Sequence, residues 1–320
     1  MSVKASIVIP AYNSAQRIHV PLEALAKQTA SNGSFEVVVI DNASTDETAN
    51  VAMNHPAVGA LRERNIDCRV VREDRKGLTY ARIRGVCEAR GLFVCFLDDD
   101  NAPDPNYVED AIAAFSDEAI GLLVSRVYPH YESTSPTPSM ERREHLLAIN
   151  RRMGDDWVEW EAAATTAPTL GAGMWVRRTA FLNAVPWQTP EVMLSDRKGS
   201  SLASGGDIEI GFLLGQAGFK RVYCPQLVLH HVIPPSRLTT QYFCRLIIGI
   251  VRSTLTIEEK YVGKQHGIVH RLASLVSLLF ALLASPLLLL RPDGLREFLF
   301  VLVARWANFL GPYYSYSSAK

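Results

Sequence analysis

The sequence predicts an α/β protein whose sheet is mostly parallel, followed by a pair of apolar C-terminal helices. Three observations predict it. Short β-branched runs alternate with helix-patterned segments through the first hundred residues, the order that gives crossover-connected parallel strands. Those runs are almost uninterruptedly apolar, as strands covered on both faces must be. From Leu272 to Leu290, nineteen residues pass without a charge, close to the roughly 20 that cross a hydrocarbon core.

Taken in order, Ser6–Pro10 is a first strand and Ala15–Lys27 carries the spaced apolar positions of a helix. Phe35–Ile40 is a second strand, and the turn from Asp41 to Asp46 supplies cap residues for a helix starting near Glu47. Cys68–Arg72 reads as a strand, Leu78–Ala89 as a helix and Leu92–Leu97 as a strand that ends in acids. Strands follow at Ile120–Ser125 and Met174–Arg177, separated by a poorly patterned stretch from Pro129 to Pro168. The polar loop Gln188–Gly206 is long for a compact domain and is expected to act as a substrate-gating lid. A helix over Asp207–Ala217 and strands at Lys220–Tyr223 and Gln226–Leu229 complete the domain.

The division expected is therefore 1–115 and 116–236, two halves of one domain, with 237–320 as C-terminal helices. The uncharged run is flanked by Arg271 and Arg291, and Lys260 and Lys264 precede it, the basic excess of a cytoplasmic flank. The next apolar run, Leu295 to Gly311, carries Arg296, Glu297 and Arg305 and reads as a poorer span or an interfacial helix. A buried helix pair in a soluble domain is the competing reading. The opening residues lack the apolar stretch and small-residue cleavage site of a secretory signal, so the catalytic part is expected on the cytoplasmic side of a membrane. Five unpaired cysteines, none in closely spaced pairs, agree with a reducing compartment and against a zinc site.

With 33 basic and 33 acidic residues there is no net attraction for polyphosphate, so nucleic acid is not an expected partner. No glycine-rich dinucleotide or phosphate-loop motif is present, which demotes dehydrogenase and nucleotide-hydrolase readings.

The sharpest chemical feature is Asp98-Asp99-Asp100-Asn101, directly after an apolar strand. Adjacent carboxylates at a strand end repel one another, and a divalent cation, Mg²⁺ or Mn²⁺, relieves that repulsion while sharing its coordination with substrate phosphates. An exposed acidic turn with Asp104 capping the next helix explains the triplet equally well. The second feature is Asp41 at the end of the second strand, a carboxylate placed to accept from a base N–H or a ribose hydroxyl, or to cap a helix.

Taken together, Ile7–Asn13, Val39–Thr48, Gly77–Arg82 and Phe96–Asp100 resemble, in order and spacing, the family 2 glycosyltransferases. The resemblance continues at Gly171–Arg178, Gly205–Gly211 and His230-His231, and so covers roughly residues 5–235. It implies the GT-A fold, a Rossmann-like, mostly parallel sheet, here with C-terminal membrane-associated helices. It also implies inverting transfer of a sugar from a nucleotide-diphosphate donor to a hydroxyl of a glycan or lipid-linked acceptor.

Carried over by position, Asp41 holds the base, with backbone at Pro10, Ala11 and Tyr12 lining the same pocket. Asp98 contacts ribose or metal-bound water, Asp100 binds the metal directly, and Asp99 lies between them on the donor side. Arg82 either reaches the nucleotide or neutralises the acids. Asp207 takes the general-base position, although Gly206 stands where relatives carry a preceding acid. Glu209 binds acceptor or fixes its helix. Gly173, with Gly171, allows close approach of donor sugar or acceptor, and Trp175 is a sugar platform or core. One of His230 and His231 completes the metal site, since neighbours on a strand point to opposite faces. Two alternatives are a polyprenyl-phosphate sugar synthase and a catalytically silent, membrane-tethered nucleotide-binding partner.

Overall fold

The computed structural model describes residues 2–160, 169–194, 204–283 and 289–312. It contains one nine-stranded sheet with strand order β3-β2-β1-β4-β8-β6-β9-β5, β7 pairing with β9. The parallel part is β1 (Ala5–Ala11), β2 (Phe35–Asp41), β3 (Cys68–Arg72) and β4 (Phe93–Phe96). The antiparallel part is built from β5 (Asn101–Pro103), β6 (Ile120–Tyr131), β7 (Val158–Trp160), β8 (Met174–Arg177) and β9 (Lys220–Ile233). The expected α/β class and every strand expected in the first hundred residues are present. The two late runs, Lys220–Tyr223 and Gln226–Leu229, join into the single long β9.

The helices are α1 (His19–Ala26), α2 (Thr48–Asn54), α3 (Pro56–Glu63), α4 (Leu78–Glu88), α5 (Tyr107–Ala114), α6 (Pro138–Glu141), α7 (Arg178–Ala184), α8 (Gly206–Gln216), α9 (Thr240–Ile257), α10 (Ile268–Leu283) and α11 (Gly294–Leu310). The helical segment after Glu47 is broken in two because His55 precedes Pro56 and is extended, with φ −66° and ψ 137°. Its ring Nδ1 then accepts the Ala57 N–H at 3.3 Å and caps α3.

Every residue of β1 and β2 is buried, including two acids, Glu36 and Asp41. Glu36 accepts from Ser6 Oγ at 2.6 Å and is paired with Arg69 and Arg90. Burial alone would raise its pKa; hydrogen bonds from Arg69, Ser6 and Arg90 outweigh that and hold the carboxyl below its ordinary range. The core lies between the sheet centre and α4, α7 and α8, with Val8, Val38, Phe96, Met174, Phe181 and Leu214 among its members.

The chain divides into two compact units. The first holds Met1–His130, Ala148–Ser195 and Gly206–Val232; the second holds Tyr131–Leu147, Asp196–Gly205 and Ile233–Lys320. The second unit thus takes in part of the irregular middle of the sequence as well as the C-terminal helices. Of the expected lid, residues 195–203 lie outside the described residues.

Within the second unit, α9 packs on α11 through the stacked rings of Phe243 and Phe300, 5.6 Å apart. α11 is also tied to the segment after α6. Glu297 is buried and receives Arg142 Nη2 and Arg143 Nη2, each at 2.6 Å. These guanidiniums, Arg143 foremost, hold its pKa down at about 2. A depressed acid contributes stability that is complete above its unfolded pKa of 4.5 and is lost as pH falls through about 2. Because Arg142 is partly solvated, the contribution is discounted. Glu297→Gln is expected to cost this unit about 2–3 kcal/mol at pH 7 in urea unfolding, with the difference from the parent vanishing near pH 2.

No helix among the described residues is long and apolar enough to cross a membrane. The expected span from Leu272 to Leu290 is only partly described, as α10 to Leu283, because residues 284–288 lie outside the described set.

Candidate active site

The first unit places Pro10, Ala11, Tyr12, Asp41 and the acidic turn at or just beyond the carboxyl ends of β1, β2 and β4, where ligands bind in parallel α/β sheets. Register places Ala11 beside Asp41. Pro10 and Ala11 are buried and Tyr12 stands out of the strand end, 39 % exposed. Asn13, at φ +50°, turns its side chain so that Oδ1 accepts the Thr45 N–H at 2.8 Å, while its own N–H reaches Ser44 Oγ at 3.0 Å. The two loops that follow β1 and β2 are thereby stitched together.

Asp41 is buried and accepts the Ser44 N–H at 3.1 Å on one oxygen and Arg72 Nη1 at 3.2 Å on the other. Each carboxylate oxygen has a second lone pair, so capacity for a base N–H remains. Asn42 donates to the carbonyls of Glu73 and Arg75 and accepts the Gly77 N–H at 2.8 Å. That pinned loop brings Lys76 Nζ within 5.4 Å of the Tyr12 ring centroid. Sequence reasoning did not single out Arg72 or Lys76; the signal was the basic cluster Arg72, Arg75 and Lys76 immediately beyond a strand's carboxyl end.

The three adjacent acids do not act together. Asp99 receives the Ser14 hydroxyl and Arg17 Nη2, the latter at 2.9 Å. Ser14 in turn accepts the Tyr12 N–H at 3.2 Å, and its own N–H binds Thr48 Oγ1 at 2.7 Å. Asp99, expected on the donor, instead locks the loop after β1 to the acidic turn. Ser14 and Arg17 are the partners the sequence reading missed, since nothing local marks them.

Asp100 is buried, with Asn101 Nδ2 at 3.0 Å and His231 Nε2 at 3.5 Å from its Oδ1. Antiparallel pairing sets Asn101 opposite His231 and Ala102 opposite His230, so only one histidine can turn to Asp100. It is His231. His230, also expected at the metal, instead meets Asp104 at 3.1 Å and stacks on Tyr128, centroids 6.0 Å apart.

Among the described residues, no three His, Cys, Asp or Glu side chains are grouped to hold a metal ion. The Asp100–His231 pair nevertheless fits one. Both are more than nine-tenths buried, they are too far apart to hydrogen-bond well, and Asn101 Oδ1 beside them is buried without a hydrogen-bond partner. A hard cation with two protein ligands would draw the rest of its coordination from substrate oxygens and water.

Asp207 lies in the first turn of α8. Its Oδ2 accepts the Gly171 N–H at 2.7 Å and its Oδ1 the Ile208 N–H at 2.9 Å. A Cβ at Gly171 would sit 2.3 Å from Arg82 Nη2 and 3.2 Å from Asp207 Oδ2. Arg82 therefore lies beside Asp207. It is buried, with its guanidinium 5.8 Å from the Phe96 ring centroid.

The residues expected at the acceptor are not at a surface. Trp175 is fully buried in β8 and packs on Tyr107, ring centroids 5.7 Å apart. Gly173, at φ +65°, presents its carbonyl to the hydroxyls of Tyr107 at 3.0 Å and Ser125 at 2.6 Å. A Cβ there would fall 2.0 Å from Leu229 Cδ1, so this glycine serves core packing. Glu209 is fully buried and accepts the Leu194 N–H at 2.7 Å. Of its two expected roles, fixing the helix is the one its surroundings allow.

A mixed sheet whose parallel strands end in Asp41 and the acidic turn is the setting of a transferase. The family model for glycosyl transferase family 2 matches residues 6–177, more than half of the chain, and the protein belongs to that family. Glycosyltransferase AglE of Haloferax volcanii is 24% identical over 230 residues, covering 72% of this chain and 67% of that protein. Poly(ribitol-phosphate) beta-N-acetylglucosaminyltransferase TarS of Staphylococcus aureus is 34% identical over 116 residues, 36% of this chain but 19% of TarS. Among solved structures, the mannosyltransferase PcManGT of Pyrobaculum calidifontis, in complex with GDP-Man and Mn²⁺, superposes with a TM-score of 0.61 at 17% identity, covering 96% of this chain and 87% of that one. S. aureus TarS 1–349 with UDP-GlcNAc gives 0.55 at 15% identity, covering 98% and 93%. These structures share the fold.

Proposed function

We propose that the protein is a metal-dependent, inverting glycosyltransferase that moves a sugar from a nucleotide-diphosphate donor to a hydroxyl of a glycan or lipid-linked acceptor. One observation carries this reading. A buried carboxylate with spare acceptor capacity, Asp41, ends β2, and a buried Asp100–His231 pair lies just beyond β4, the two strands that flank β1 in parallel. The nucleotide-sugar complexes of PcManGT and TarS support the donor class, and the Mn²⁺ in the former supports a divalent cation.

In this mechanism Asp41 receives the base, and the backbone at Pro10 to Tyr12 lines the pocket. Asp98 would contact the ribose or metal-bound water, while Asp100 and His231 would hold the cation. A bound Mg²⁺ or Mn²⁺ would offset the negative charge that develops on the leaving diphosphate. Asp207 accepts the proton of the acceptor hydroxyl as its oxygen attacks the anomeric carbon. The carbon–oxygen bond to the diphosphate breaks, its electron pair leaving with the diphosphate, and attack from the opposite face inverts the centre. The Gly171 and Ile208 N–H groups aim the Asp207 carboxylate.

We also place the protein at a membrane, with the first unit on the cytoplasmic side; the basic residues flanking α10 support this.

The deciding experiment is a thermal-shift screen of the full chain with UDP, GDP, dTDP and CDP, each with Mn²⁺ or EDTA. A nucleotide at about 100 times its Kd is expected to add roughly 2.7 kcal/mol. The shift should disappear in Asp41→Ala. A folded protein that responds to no nucleotide in the presence of metal overturns the reading.

A further inference from the structure

α10 is built inside out. In a soluble protein an amphipathic helix turns its large apolar side chains toward the core. Here Ile268, Leu272, Leu275, Leu279, Phe280 and Leu283 are each 41–77 % exposed, and their spacing of mostly three and four residues puts them on one face. Val269, Val276 and Leu282 are exposed alongside them. The opposite face, which packs on α11, is mostly small or polar: Ser274 is buried, Ser277 and Ala281 are half-buried with a single large apolar neighbour, Leu278, and His270 Nε2 meets the Asn308 carbonyl at 3.2 Å.

α11 repeats the arrangement more sparsely. Leu295, Leu299, Trp306 and Leu310 form an exposed stripe, while Glu297, Phe300 and Ala307 are buried. An exposed apolar surface of this extent far exceeds the isolated patches of a soluble monomer. Basic side chains rim it. Lys264, which also pairs with Glu258 at 2.9 Å, lies just before α10, Arg271 is in its first turn, Arg291 precedes α11, and Arg305 adjoins Trp306; all four are exposed.

We propose that the exposed faces of α10 and α11 dock in the plane of one leaflet of an anionic bilayer, apolar side chains among the acyl chains and the basic rim at the headgroups. This deepens the membrane placement above and is independent of the transfer chemistry. An in-plane seat follows because α10 is covered by protein along one side and bare along the other, over about 24 Å of helix. A spanning helix would meet lipid at both ends of its axis, whereas α11 beside it carries the buried, doubly paired Glu297. The basic rim favours lipid over a second copy of the chain, whose identical rim would repel it.

The test is flotation of the full chain with vesicles of phosphatidylcholine alone or with 30% phosphatidylglycerol as an added probe, roughly the anionic content that supports polybasic binding. Partition is expected into the anionic vesicles, weakened on the order of fivefold each by Lys264→Gln and Arg271→Gln. Leu279→Glu with Phe280→Glu should reduce it by at least about tenfold while leaving the nucleotide-induced thermal shift intact, which shows that the variant is folded. Trp306 fluorescence should be quenched more by lipids brominated near the headgroup than by lipids brominated deep in the chain, a signal lost in Trp306→Phe. Absence of partition, or partition indifferent to the glutamates, overturns the proposal. Stronger quenching by the deep probe overturns it in favour of a span. Dimers that the glutamates dissociate, without vesicle binding, assign the face to a second copy. None of these readouts requires turnover, so failure here leaves the donor site untouched, and failure of the nucleotide screen leaves this proposal standing.

Discussion

Asp207→Asn is expected to lower kcat by 10²–10⁴-fold, the range typical of removing a positioned general base, with little effect on donor binding. The substitution is close to isosteric. The amide oxygen of Asn can still accept the Gly171 N–H that the carboxylate holds at 2.7 Å, so the start of α8 should keep its place. What is lost is the proton acceptor. Donor affinity, read as the nucleotide-dependent thermal shift, should remain within about twofold of the parent. The same variant separates the two chemistries that share this donor site. An acceptor phosphate is already ionised and needs no base, so near-parental turnover of Asp207→Asn would move the protein to the polyprenyl-phosphate sugar synthases. Nucleotide binding without turnover in the parent protein would mark it as a silent partner.

The second large effect is expected at the acidic turn, and it should divide neighbouring residues sharply. Asp100→Ala and His231→Ala are each expected to lower kcat/KM on the order of 10²–10³-fold and to abolish the difference between Mn²⁺ and EDTA in the nucleotide screen. His230→Ala should change kcat/KM by less than about fivefold, because its ring is engaged with Asp104 and Tyr128 and not with Asp100. Steady-state kinetics on the three variants, with their unfolding transitions as a control, checks this. Equal losses at His230 and His231 would sink the assignment.

Most of the fold was legible because its parallel strands are covered on both faces. A run such as Val37 to Ile40, buried on every side, leaves no room for polar residues, and the sequence shows that directly. Asp41 and the acidic turn were legible for the same reason, since a strand end is where apolarity stops. For Trp175 and Glu209 the sequence left two roles open, and Gly173 was placed at the acceptor, because a motif records which residue types recur, not which way they point. Trp175 sits on a strand whose two faces are both interior, so no periodicity could say that its ring meets Tyr107 and not solvent. The partners of Asp99 were not legible because Ser14 and Arg17 are 85 and 82 positions away along the chain. The choice between His230 and His231 needed the register of β5 on β9, which a three-residue strand does not announce.

Glu209 has a wider bearing than the fixing of its own helix. The helix that presents Asp207 is bolted by this buried carboxylate to the backbone of Leu194, whose carbonyl is held in turn by Thr79 Oγ1 at 3.0 Å. Thr79 lies on α4, the helix that also carries Arg82. Base, guanidinium and the chain leading toward residue 195 thus form one mechanical linkage. Changes at 79, 194 or 209 should be epistatic, because each slackens the same strut, and selection on this enzyme would be expected to alter them together or not at all.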